Sequence, residues 1–140
     1  MAANELRGEV DLVLEGETFV LRPSYTAIVE FEKATGKGLI DLADQAIEGK
    51  LTLSECAAIV TSMVKAWGVA TDNRIAANVN QDRIGELIHE YGLMQVQLRL
   101  QIALMNAATG GCRADGTIKS GEATTTGTMT SATPVESLQA

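Results

Sequence analysis

His89 is the only histidine in this sequence, and it is the side chain whose ordinary pKa best suits proton transfer near neutral pH. Its near neighbours are Glu86 and Glu90, and Arg99 follows well along the same predicted helix. A catalytic base needs a partner that orients it and a reacting group within reach. A single helical histidine among acidic side chains provides neither, so we expect a surface residue and predict no catalytic residue.

The two cysteines are the other side chains with obvious reactivity. Cys56 lies in an apolar helical pattern and Cys112 in a glycine-rich segment, which does not suggest a disulfide framework. Together with His89 they are at most three soft or borderline ligands, and their spacing is not that of a metal site. We therefore predict no metal site and no disulfide.

Two acidic pairs and one pair of glycines are the remaining candidates for a catalytic or ligand-binding site. Asp41 and Asp44 are three residues apart on a predicted helix, and Asp82 and Glu86 are four apart, as expected by chance on an acidic surface. The run Gly36-Lys37-Gly38 lacks the earlier glycine and the following Ser or Thr of a phosphate-binding loop. Serine-hydrolase, zinc-protease and dinucleotide-binding motifs are also missing from the sequence. We predict a protein that has no cofactor and is not an enzyme.

The composition is that of one small globular domain. The chain has 140 residues, of which 46% are hydrophobic but only 4% aromatic, so a core must be built mainly from aliphatic side chains and methionine. Its net charge of −7 repels a phosphate backbone, and we therefore predict no nucleic-acid partner. The sequence shows neither the apolar core of a signal peptide nor eighteen uninterrupted apolar residues, and we expect a cytoplasmic protein without a membrane partner.

Residues 8–22 have the alternating pattern of a β-hairpin. Two runs of period two are separated by Glu15-Gly16, where a two-residue turn would lie. Such a turn needs positive φ at both central positions, for which Glu15 is less suited than Asn or Asp. Pairing across this turn puts Glu9 opposite Arg22 and brings the large apolar side chains to one face.

Helical patterns follow the hairpin. Ser24, Thr52 and Asn80 are suitable N-caps, and Thr52 with Glu55 fits a capping box. We therefore predict an α+β fold, in which residues 1–108 form a single domain: an N-terminal β-hairpin followed by a small bundle of about four α-helices. The predicted helices cover about residues 25–35, 39–48, 52–67 and 80–108.

The last predicted helix is apolar on two opposite sides. One stripe has the spacing that packs a helix on its own domain; it consists of Ile84, Leu87, Tyr91, Leu98, Ile102 and Met105. The second stripe exceeds what a small domain needs to cover, and we predict that it binds a partner; the residues are Leu93, Val96, Leu100 and Leu104, followed by Ala107. Burial of this stripe inside the chain's own bundle, or in a homo-oligomer, is the alternative.

The composition changes sharply after Ala108. Residues 109–140 are rich in Gly, Thr, Ser and Ala and nearly free of large apolar side chains. Such a segment buries too little surface to offset the entropy of ordering it, so we expect a disordered, flexible tail. It would act as a tether, as an extension that folds on a partner, or as a passive end.

The first half of the chain resembles a known family. The resemblance rests on hydrophobic spacing and glycines over about residues 7–68. Its residues are Gly8-Glu9-Val10, Leu12, Leu14, Gly16-Glu17, Leu21-Arg22, Ala27, Glu30, Glu32, Gly36, Leu39, Leu42, Gly49 and Leu51. On these residues the chain resembles the small tail proteins of gene transfer agents and siphophage-type tails, labelled either tail tube protein or tail assembly chaperone. The long helix from Asn80 and the threonine-rich tail exceed the shortest members of that family.

The resemblance implies a tail assembly chaperone. Such a protein would bind the helical tape measure protein, help to recruit the tail tube protein, work in the cytoplasm of the bacterial host, and be absent from the finished tail. Two alternatives remain open, a structural component of the tail tube or of another part of the virion tail, and a generic helical adaptor. The absence of a convincing strand after Arg22 weighs against a tube protein.

Overall fold

The computed structural model describes residues 9–110 and 113–115. It confirms the α+β prediction: an antiparallel two-stranded hairpin is followed by a mostly helical domain. The strands are β1 (Val10–Leu14) and β2 (Glu17–Leu21). The helices are α1 (Tyr25–Thr35), α2 (Leu39–Glu48), α3 (Leu53–Ala70), α4 (Arg74–Ala77), α5 (Gln81–Tyr91) and α6 (Leu93–Ala108). The predicted tail lies outside these residues, except for residues 109, 110 and 113–115.

The hairpin has the predicted register. Val10 pairs with Leu21 and Leu14 with Glu17, and both turn residues have positive φ, 50° at Glu15 and 81° at Gly16. Beyond the last pair, the Nη1 atom of Arg22 lies 3.3 Å from the Oε2 atom of Glu9, and both side chains are buried.

The hydrophobic core surrounds α3. This helix packs against α1, α4, α5, α6 and β2, and Ile59 and Met63 on it are fully buried. Because neighbours surround the helix on most sides, it is apolar over nearly its whole circumference, as expected for a central helix. It runs three residues further than predicted, to Ala70.

A polar cluster around Glu55 joins the start of α3 to the ends of α1 and α2. The hydroxyl of Thr52 accepts a hydrogen bond from the Glu55 N–H (3.1 Å), and the Glu55 carboxylate accepts one from the Thr52 N–H (2.9 Å), which confirms the capping box. The Nζ atom of Lys37 lies 2.6 Å from Glu55 Oε2, and Gln45 donates to Glu55 Oε1 at 3.1 Å. The carboxylate therefore has partners from three parts of the chain.

Gly92 divides the last predicted helix into two. Its backbone has φ 121° and ψ 114°, a conformation that residues other than glycine rarely adopt. Its N–H still bonds to Ile88 O, which ends α5, and its carbonyl accepts from Gln95 N at the start of α6. The helix predicted as one piece over residues 80–108 is therefore α5 and α6; with the short α4, this raises the number of helices from about four to six.

Gly68 allows α3 to contact the backbone of α4. A Cβ atom at this position would lie 2.3 Å from the backbone nitrogen of Ala77. We predict that Gly68→Ala lowers the free energy of unfolding by about 1–3 kcal/mol, because the short helix must move away. Gly85→Ala is the control, since its Cβ would meet only the Ala57 methyl at 3.5 Å.

The control variant gains helix propensity and is expected to be stabilised by up to about 1 kcal/mol. Chemical denaturation of both variants measures the difference. Equal effects of the two substitutions would show that the approach of α4 does not restrict residue 68.

The Glu55 cluster predicts that the stability of the folded protein depends on pH. Burial disfavours the charged carboxylate, but the hydrogen bond and charge of Lys37, with the Thr52 N–H and Gln45, together hold the pKa of Glu55 below its usual value. A carboxyl whose pKa is lower in the folded protein stabilises it fully above the unfolded pKa of about 4.3. This contribution is lost as the pH falls through the folded value.

Glu55→Gln should therefore reduce the acid sensitivity of the melting temperature below about pH 4.3. Glu48→Gln, which removes an exposed carboxylate 3.9 Å from Lys50, is the control. Identical melting temperature profiles for wild type and Glu55→Gln would contradict the assignment.

Candidate interaction surface

The stripe predicted to bind a partner lies mostly inside the protein. Val96, Leu100 and Leu104 are completely buried in the core, and Leu93 is half-buried against it. The side of α6 chosen from the sequence as the interaction surface is therefore the side that the domain uses for its own packing.

The stripe predicted to pack on the domain divides at Gly92. Ile84 and Leu87, in α5, are buried as predicted, whereas Leu98 and Ile102, in α6, are exposed. Both predicted stripes assume one continuous helix, with 100° per residue, through Gly92, but the backbone there is not helical. The two helices have independent rotational settings, so the inner and outer sides of α6 are exchanged relative to the prediction.

Large apolar side chains follow one another along the outer side of α6. Met94, Leu98 and Ile102 are 63%, 55% and 47% exposed, and their spacing of four residues places them on one side of the helix. Half-buried Met105 continues the row. These four residues are called the α6 face below.

Two neighbouring elements border the α6 face. On one side, Gln101 donates a 2.9 Å hydrogen bond to the carbonyl of Ala46 in α2, and the next residue, Ile47, is 51% exposed. On the other side, Arg99 donates from Nε to the carbonyl of Asp11 in β1, also at 2.9 Å. These bonds hold α6 between α2 and the hairpin with its apolar row outward.

A polar residue on the buried side of α6 also fixes the rotation of the helix about its axis. The side chain of Gln97 is buried, and its Oε1 accepts a 2.8 Å hydrogen bond from the N–H of Leu51, just before α3. A buried amide that lost this partner would carry the cost of an unpaired polar group. Rotating α6 to bury Leu98 would break this bond, so the exposed row is a fixed feature of the domain.

Charged side chains of both signs lie on the elements that border the α6 face. Asp44 and Glu48 are exposed on α2, whereas Arg99 is exposed on the side of β1. An apolar row with unlike charges at its borders suits contact with a protein surface.

His89 and Cys56, for which the sequence predicts no catalytic role, lie on α5 and α3. His89 and Glu90 are both exposed in the last turn of α5, which confirms His89 as a surface residue, and Cys56 is buried. Burial, together with the charge of Glu55, raises the pKa of the Cys56 thiol to about 12. Within residues 9–110 and 113–115, the side chains of His, Cys, Asp and Glu form no group of three or more that could hold a metal ion.

Across the described part of the chain, every helix is too short or too polar to span a bilayer.

Comparison with protein families identifies a class of tail proteins. Residues 7–89 match the family described as "Phage tail tube protein, GTA-gp10". The match covers more than half of the chain, from before β1 to the last turn of α5, and the protein therefore belongs to this family of phage and gene transfer agent tails. Searches of the curated proteins and of the solved structures found no significant match.

The family match corrects the function expected from the resemblance. The family's description names a tail tube protein, a structural component, and the prediction of a tail assembly chaperone is therefore wrong. The structural alternative agrees better with the family.

Two substitutions on α6 distinguish its outer side from its inner side. Leu98→Glu should change the free energy of unfolding by no more than about 0.5 kcal/mol, because the side chain is exposed. Leu100→Glu should cost at least about 4 kcal/mol, because it buries a charge without a partner. Urea unfolding monitored by circular dichroism measures both, and a folded Leu100→Glu protein with an unfolded Leu98→Glu protein would reverse the assignment of sides.

Proposed function

We propose that this protein is a structural component of a phage-type tail tube, acting through contacts with other proteins and without catalysis. The family match over residues 7–89 is the observation that carries this proposal. Synthesis in the cytoplasm of the bacterial host, followed by incorporation into the finished tail, is part of the proposal. The proposed partners are other copies of this chain and further tail proteins, among them the tape measure protein.

The α6 face supports contact between copies. A tube built from one kind of subunit needs a surface on each copy that meets a different surface on the next, since such contacts generate rings or helices. Both borders of the α6 face are charged, with acidic side chains on α2 and Arg99 beside β1. A neighbouring copy that presents the opposite border would add ion pairs around an apolar centre.

The described residues favour a contact made through helices. The part of the chain that the structure describes contains one two-stranded sheet, so its large exposed apolar surfaces are mainly helical. In this proposal the copies associate through helix faces, with the α6 face at the centre of the contact.

The composition of finished tails tests the proposal. Purified particles should contain this protein in multiple copies, at a level comparable with other structural proteins of the tail, when measured by quantitative mass spectrometry. A protein abundant in the cell lysate but missing from purified particles would overturn the structural assignment.

The double variant Leu98→Glu with Ile102→Glu tests the surface. It should fold like wild type but fail to enter tails, because two charges replace the centre of the apolar row. Ile75→Glu is the control, since Ile75 is 83% exposed on α4, away from α6. Normal incorporation of the folded double variant would exclude the α6 face as the contact.

A further inference from the structure

A second surface feature lies on α1 and α3. A cleft of about 550 Å³ lies between these two helices, and α4 and the start of α5 contribute one residue each. Ala114 and Asp115, which follow α6 in the chain, also line this cleft. It is separate from the α6 face, whose residues do not line it.

The walls of the cleft are mainly small side chains. Alanines from three helices line it, and Val69 is its largest aliphatic side chain; the alanines are Ala27, Ala34, Ala66, Ala70 and Ala77. Small side chains allow another backbone to approach closely. Glu30 from α1 and Lys65 from α3 supply one charge of each sign.

Thr61 indicates that the cleft accepts a polar group. The residue is only 3% exposed, lines the cleft, and its Oγ1 atom has no hydrogen-bond partner among the described residues. Thr35 and Thr71, by contrast, donate to the carbonyl four residues earlier, at 2.8 and 2.7 Å. Buried hydroxyl groups nearly always have a partner, and a group entering the cleft would supply the one that Thr61 lacks.

Two residues that follow α6, Ala114 and Asp115, are hydrogen-bonded at the edge of this cleft. The carbonyl of Ala114 accepts a 2.7 Å hydrogen bond from the N–H of Tyr25, and the carbonyl of Asp115 accepts one of 2.7 Å from Nε of Arg22. Arg22 is fixed in turn by its ion pair with Glu9. Two bonds therefore hold residues 114 and 115 beside the start of α1, and residues 116–140 continue from there.

The length and composition of the following residues fit the cleft. The eleven residues of α1 span about 16 Å, and about five extended residues cover that distance. The sequence after Asp115 begins Gly-Thr-Ile-Lys-Ser, with small residues around a single large apolar one, Ile118. Lys119 and Glu122 carry the charges that complement Glu30 and Lys65.

We propose that the segment immediately after Asp115, residues 116–122, binds in this cleft of its own chain. Ile118 packs against the alanines, and a polar group of the segment pairs with the hydroxyl of Thr61. The C-terminal region thus has a docking site on the domain, and occupation of that site closes the cleft to other peptides. The inference does not depend on the function proposed above.

A disulfide trap in the full-length chain tests the position of the segment. Ala66→Cys with Ile118→Cys, in a Cys112→Ser background, should form an intramolecular disulfide on mild oxidation, detected by mass spectrometry of a tryptic digest. Cys56 does not interfere, because it is fully buried in the core and inaccessible to the oxidant. Ile75→Cys with Ile118→Cys is the control, since Ile75 does not line the cleft.

Competition with a labelled peptide of residues 116–140 gives a second measurement. The full-length variant Ile118→Asp, whose own segment is weakened, should bind the peptide at least about tenfold more tightly than wild type does, because a tethered segment competes at high effective concentration. Adding Thr61→Val to Ile118→Asp should reduce binding, whereas adding Thr71→Val should not.

Three results would overturn the proposal. One is efficient trapping in the control pair but not in the cleft pair. Another is a disulfide found only between two chains, which would make a second copy the source of the segment. The third is equal peptide binding by wild type and Ile118→Asp.

Discussion

Which side of α6 faces the core depends on the backbone conformation of Gly92. At φ 121° and ψ 114° the chain leaves the helical conformation for one residue, and α6 starts with a rotational setting that α5 does not dictate. The rotation of α6 is then fixed by its buried side chains. Leu100 and Leu104 pack in the core, and Gln97 accepts a hydrogen bond from the N–H of Leu51. Since one side of the helix is committed to the core, the row from Met94 to Met105 must face outward. The exposed apolar row exists because the domain uses the other side of the helix.

The rest of the domain makes this arrangement rigid. The hairpin borders one side of α6 through Arg99 and α2 borders the other through Gln101, while α3 lies at the centre of the core. The Glu55 cluster ties α2 and the end of α1 to the start of α3, and so positions the element against which α6 packs. An apolar row held on such a frame needs little reorganisation when it meets another protein, which favours repeated assembly of identical copies.

Local signals in the sequence predicted most of the fold. The register of the hairpin follows from period-two alternation and the pair Glu15-Gly16, and the caps at Ser24, Thr52 and Asn80 follow from short side chains that accept backbone hydrogen bonds. The helices before Gly68 follow from apolar periodicity in the same way. These features depend on residues close together in the chain, and so a single sequence contains them.

The candidate surface could not be predicted by the same reasoning. Leu100 and Leu98 are equally apolar, and which of them is buried depends on how α6 is rotated after Gly92 and on partners such as Leu51 and Asp11 that are distant in sequence. The cleft that carries Thr61 likewise forms only when α1 and α3 pack together and residues 114 and 115 return to the start of α1. The proposed structural function rests on the family match, because contacts in an assembly leave no chemical motif in one subunit.

A density map of the assembled tail, determined by electron cryomicroscopy, is the most direct measurement of the central claim. The account predicts that this domain repeats within the tube wall, with Leu98 and Ile102 of each copy buried against the next. A tube wall that lacks the domain, or that contains it with the α6 face open to solvent in every copy, would contradict the account.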